Sequence, residues 1–300
     1  MLPRRRLIKT SIFALTGILG ALVHGCGPSA PPGPPNRLVV GLVSYDTGAR
    51  SVEKYERFKQ YLAERTQSVV ELEPVYNELR AVEQIERNIW SIVFAPSGLA
   101  AIAISDAQYL PIHPLQGPTN LRSVIIVRDD SPIENLIDLS NEVIALGDPG
   151  SAVRYYLPLY DLYGLTLSEI RFAPTPRTVL EWLSDETIAA GALAEHDYQR
   201  LRSDFIGTKF RVLHQSRIIP SGAVLIGPTV DRNQQRLIET ALREATSDIT
   251  SDTGYIPNAP PPKFEQLILL VDKVRPLQAR VREIPAVLTL EKYDPDSESE

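Results

Sequence analysis

Residues 147–151, Gly-Asp-Pro-Gly-Ser, place two glycines and a proline between a predicted strand at 143–146 and a predicted helix at 152–163. Such a turn lets the first amides of the helix face outward, where the helix dipole favours an anion. Ser151 suits an N-cap, and Arg154 could grip phosphate or carboxylate through paired hydrogen bonds. The unadorned alternative is a capped helix start without a ligand. A second polar cluster, Glu195-His196-Asp197, follows a small-residue strand at 188–193; it could meet an ammonium group or simply begin a helix. The histidines His113, His196 and His214 are dispersed, which favours structural roles over a metal centre. There is no G-x-S-x-G, P-loop, H-E-x-x-H or dinucleotide glycine fingerprint. We therefore expect no enzyme, no cofactor and no bound metal.

Cys26 is the only cysteine of the chain, which forbids an internal disulfide. It follows Arg4, Arg5, Arg6 and Lys9 and an apolar run at 11–23, too short for the roughly 20 residues of a membrane-spanning helix. Residues 1–25 thus read as a signal peptide. Val23-His24-Gly25-Cys26 resembles a bacterial lipobox with His24 as an unusual occupant, which predicts lipidation at Cys26. Arg4 to Lys9 fits a twin-arginine signal and an ordinary secretory signal equally well. The next stretch to residue 36 carries five prolines and two glycines and reads as an extended tether; 291–300 reads as an acidic disordered tail.

Between them, apolar strands alternate with segments of helical spacing, the pattern of α/β folds with mainly parallel sheets flanked by helices. Strands are predicted at 38–43, 69–75, 92–94, 123–127, 143–146, 170–172, 188–193, 210–213 and 223–226. Helices are predicted at 51–65, 79–89, 152–163, 177–183, 230–249 and, interrupted by Pro276, 264–281. A hydrophobic fraction of 43% and a charged fraction of 23% over 300 residues suit a folded chain of two lobes. Without residues 1–25, 27 basic residues face 37 acidic ones, a net charge of −10, which argues against nucleic acid as a partner.

Five strings in order resemble the phosphonate-type solute-binding proteins of ABC importers, two-lobed periplasmic binding proteins. They are Gly41-Leu42-Val43-Ser44-Tyr45, residues 92–97 (IVFAPS), residues 123–132 (SVIIVRDDSP), the 147–151 turn, and Ile218-Ile219-Pro220-Ser221-Gly222. The resemblance implies that the chain crosses twice between lobes, with 37–123 and 224–290 forming the first lobe and 124–223 the second. A small anionic solute, phosphonate-, phosphite- or phosphate-like, would lie in the cleft between them. It would rest on Gly150, Ser151, Ala152, Val153 and Arg154, with Tyr45, Phe94 and Ser97 closing from the other lobe and Glu195 meeting any amino group. Phe94 and Tyr45 could equally be ordinary core residues. One departure stands out: the phosphonate binders continue this loop with hydroxyl residues, whereas Ser151 is followed by Ala152, Val153 and Arg154. The expected partners are the solute, an ABC permease and, through the lipid, a membrane, for a chain acting as a monomer. The competing expectation is an extracytoplasmic sensory or scaffold protein of the same fold with an altered or lost ligand site.

Overall fold

The computed structural model describes residues 36–43 and 53–290. The signal peptide, Cys26, the tether before Asn36, Tyr45 and the acidic tail lie outside the described residues.

The chain begins β1 (Asn36–Val43), α1 (Glu56–Thr66), β2 (Ser68–Val75), α2 (Glu78–Glu86), β3 (Ile92–Ala95), α3 (Ser97–Ser105) and β4 (Leu110–Pro114). It continues β5 (Ser123–Arg128), β6 (Val143–Leu146), a turn of π-helix at Ala152–Tyr156, α4 (Leu157–Asp161), β7 (Thr166–Leu167), β8 (Glu169–Phe172), α5 (Pro176–Ser184), β9 (Ala190–Ala194), α6 (Glu195–Leu201) and β10 (Phe210–Gln215). It ends β11 (Ala223–Ile226), α7 (Arg232–Glu244), α8 (Ser247–Thr253), α9 (Glu265–Val274) and β12 (Ala286–Val287).

Two five-stranded sheets result, ordered β2-β1-β3-β11-β4 and β10-β5-β9-β6-β8. In the first, β1 is parallel to β2 and β3, while β11 is antiparallel to β3 and β4. In the second, β6 is parallel to β8 and β9, while β5 is antiparallel to β9 and β10. Each sheet therefore has one reversed strand, and each is the first strand after the chain changes sheets. Simple strand-helix alternation did not announce these reversals, because they arise from the crossings.

The crossings, 115–122 and 216–222, run side by side. Leu115 N–H donates to the Gly222 carbonyl at 2.9 Å, Ile219 N–H to Leu121 at 2.9 Å and Ser216 N–H to Ser123 at 3.0 Å. A third passage comes at the C-terminus. Leu267, Leu270 and Val271 of α9 share one apolar core with Leu99 and Ile102 of α3 and with Tyr156 and Leu159. Residues 286–287, expected with the first lobe, instead pair with Thr166 and Leu167 of the second.

Two further expectations are corrected, and the Pro276 interruption is borne out. The predicted helix at 230–249 breaks at Ala245, which is extended at ψ 141°, and restarts at Ser247 after Thr246. The helix at 152–163 opens as a π-turn, in which the Tyr155 and Tyr156 amides both donate to the Ser151 carbonyl at 3.1 Å, with Pro158 in the first turn of α4. The helix at 264–281 ends at Val274, just before Arg275-Pro276 opens a 3-10 turn, as the missing proline amide dictates. Helix α3 had no sequence signal: SGLAAIAIS is apolar all round, and a helix buried on every side shows no amphipathic period.

Candidate functional site

The C-terminal ends of β3, β6, β8 and β9 open into α3, the 147–151 turn, α5 and α6, and these ends converge on one cleft between the sheets, as ligand sites do in open α/β folds. Its volume is about 790 Å³, within the range of small-molecule sites. The floor is the paired crossings, contributing Leu115, Gln116, Gly117, Pro118, Leu121, Ser221 and Gly222. One wall is Pro96, Ser97 and Gly98. The other is Ser151 to Arg154, Thr175 to Arg177, and His196, Asp197 and Arg200.

Ser97, Ser151, Ala152, Val153 and Arg154, expected from the sequence, are brought together here, and Gly150 lies beneath them. Their polar side chains already have partners. Ser97 Oγ donates to the Pro220 carbonyl at 2.6 Å, pinning α3 to the second crossing. Ser151 Oγ accepts from the Arg154 amide at 3.3 Å as an N-cap. The Arg154 guanidinium reaches away from solvent, with Nη2 donating to Glu78 Oε1 at 2.9 Å and Nη1 to the Ala173 carbonyl at 3.3 Å. Glu78 is 1% exposed and Arg154 4%, so this pair is buried, and it joins α2 of the first sheet to the π-turn of the second.

Two glycines allow that junction. A Cβ on Gly98 would fall 2.2 Å from the Gly150 carbonyl oxygen and 2.6 Å from the Ala152 nitrogen, so the start of α3 lies directly on the turn. Gly150 has φ +108°, a backbone conformation that L side chains rarely adopt, and a Cβ there would meet the Glu78 Cβ at 2.7 Å. Nearby, burial and then the Glu78 charge raise the Asp148 carboxyl pKa against the pull of Arg154 and Arg282.

Two expected residues are placed elsewhere. Phe94 is 4% exposed and packs edge-on to Tyr55, Phe58 and Tyr255 at centroid distances of 5.3, 5.4 and 6.2 Å, deep in the first lobe's core. As the inward position of a central strand it had no route to the cleft. Glu195 meets Arg122 Nε at 3.4 Å and lines an adjoining polar recess with Asn120, His196 and Arg200. Sequence reasoning passed over Arg177 and Arg200. They follow β8 and β9, and the register of those strands was the available clue. Arg177 pairs with Asp204, and Arg200 Nη2 lies 2.8 Å from Asp197 Oδ1; both arginines are exposed. Of the four formally charged side chains that line the cleft among the described residues, Arg154, Arg177, Arg200 and Asp197, three are cationic, and each of these is paired with a carboxylate.

Among the described residues no cluster of three or more His, Cys, Asp or Glu is placed to hold a metal, and no helix is long and apolar enough to cross a membrane. His113 is buried, stacks on Tyr255 at 5.8 Å, and has its pKa lowered by burial.

Two sheets, paired crossings and a cleft between them define a two-lobed periplasmic binding protein. Residues 40–257 match the family model described as "ABC transporter, phosphonate, periplasmic substrate-binding protein", and the chain belongs to that family. Among solved structures it is similar to XAC2383 from Xanthomonas citri bound to ATP, at 19% identity and TM-score 0.67, over 80% of this chain and 98% of that one. It is also similar to PhnD1 from Prochlorococcus marinus in complex with methylphosphonate, at 14% identity and TM-score 0.62, over 81% and 99%. A binding protein component of an ABC phosphonate transporter from Pseudomonas aeruginosa aligns at 14% identity and TM-score 0.58, over 74% and 80%.

Proposed function

We propose that this chain is a non-catalytic receptor that takes a small anionic solute into the interlobe cleft and presents it to an ABC permease, anchored to the membrane through a lipid on Cys26. The observation that carries the reading is the pair of exposed guanidiniums, Arg177 and Arg200, on one wall of the cleft among the described residues, in a chain whose formal charge is −6. A guanidinium exposed in a cleft grips a carboxylate or phosphonate through paired, charge-assisted hydrogen bonds. Because Arg154 is engaged by Glu78, the charge of the solute falls to Arg177 and Arg200, with His196 beside them and Leu115, Leu121 and Val153 under its apolar part. Arg177 and Arg200 can exchange surface carboxylate partners for a ligand at little cost, since exposed pairs are worth at most about 1 kcal/mol.

Calorimetric titration of the mature protein with phosphate, phosphite, phosphonates, sulfonates and ATP tests this. One class should bind, and Arg177→Ala and Arg200→Ala should each weaken it by roughly tenfold to a hundredfold, the worth of one charge-assisted hydrogen bond. Silence across all of them would favour the second reading, a sensory or scaffold protein with an altered site. The packing of Gly98 on the Gly150 turn supports that alternative, since it occupies the place where an oxyanion was expected. The anchor has its own test: Cys26→Ser should release the protein from membranes or leave it as precursor, and processed Cys26→Ser protein still in the membrane fraction would refute it.

A further inference from the structure

We infer that Glu78 is a built-in anion, a specificity-determining carboxylate that occupies Arg154 and so keeps small external oxyanions from the 147–151 turn. The inference rests on reading the cleft as a solute site. It concerns what that site refuses.

Among the described residues that line the cleft, Arg154 is the only guanidinium that is itself buried, at 4% exposure, and its charge is met by Glu78 at 2.9 Å. The two residues come from different lobes, 76 positions apart, so the pair forms only when α2 and the turn are brought together. A solute oxyanion bridging two lobes would make the same kind of interaction, a carboxylate- or phosphonate-like oxygen on a guanidinium beside helix-start amides. Here the oxygen comes from the protein. The turn is shaped around it: Gly150 leaves room for the Glu78 Cβ, and Gly98 brings the start of α3 onto the Gly150 carbonyl and the Ala152 amide. Arg154 therefore sets specificity indirectly, by holding an internal carboxylate beside the turn.

Removing the carboxylate while keeping the cation should create a small-anion site. In the mature Glu78→Ala protein, formate and acetate should each raise the melting temperature, because a ligand at a hundredfold excess over its dissociation constant shifts the ratio of folded to unfolded protein by about a hundredfold. The parent should not respond beyond the general effect of salt, measured with chloride at equal ionic strength. Adding Arg154→Met to Glu78→Ala should abolish the response, which assigns it to the guanidinium. Should Glu78→Ala accumulate unfolded, refolding with acetate should recover it and refolding with chloride should not. The inference is overturned if Glu78→Ala responds no more than the parent, if the double variant responds equally, or if no anion restores a folded Glu78→Ala protein. A parent that binds no solute leaves these outcomes intact, so failure here and failure of the receptor reading are separate results.

Discussion

At the start of the π-turn, Arg154 and Glu78 face one another away from water; some strands away, Arg177 and Arg200 stand in solvent against Asp204 and Asp197. Both arginine groups line one cleft, yet burial gives them different work. A buried ion pair cannot release one partner without leaving an uncompensated charge, so it holds a junction together. An exposed pair can part and re-form around a ligand. The residues most suggestive in sequence, those of the glycine and proline turn, serve the join between lobes, while the adaptable charges lie on the neighbouring helix starts.

The largest effect separates the regions by stability. Arg154→Ala should cost about 3–5 kcal/mol by stranding the Glu78 carboxylate in the interior, whereas Arg177→Ala should cost less than about 1 kcal/mol. Urea denaturation of both variants measures this, and equal losses would erase the distinction. Next comes Gly98→Ala. Its methyl would press on the Gly150 carbonyl, a backbone atom that cannot swing aside, and overpacking of this kind costs about 1–3 kcal/mol. A denaturation midpoint matching the parent's would mean that the lobes part easily.

These tests depend on features unequally legible in the sequence. Alternating apolar runs located most strands to within a residue or two, since half-buried strands and amphipathic helices carry their own period. Helix α3, buried from Ser97 to Ala103, carries none. Strands β5 and β11 reverse because of where the chain crosses between sheets, a tertiary matter with no local signal. At the site, residues 151–154 were recognisable from turn chemistry and Ser97 only through the family resemblance, but nothing nearby betrays that Arg154 answers to Glu78, because the pairing needs two lobes to meet. Phe94 looked available only while its strand's inward register was unknown.

Smaller effects sharpen the same contrast. Ser151→Ala should lose about 1 kcal/mol of capping energy, seen in thermal melts, and leave solute affinity unchanged; an affinity loss of tenfold or more would return the anion to the turn. Smallest is a pH slope. Asp148 has a folded-state pKa above its ordinary value of 3.8, so the native chain holds that proton longer than the unfolded one. Its contribution to stability is fully present below the unfolded pKa and is lost as pH rises through the folded one. Asp148→Asn should flatten that part of the melting temperature against pH, and an unaltered profile would remove Asp148 from the account.

The most direct measurement is a crystal structure of the mature protein with its tightest-binding anion. The anion should lie against Arg177 and Arg200, over the floor of Leu115 and Leu121, with Arg154 still on Glu78. An anion seated on the Gly150 to Val153 amides, with Arg154 drawn away from Glu78, would contradict this placement.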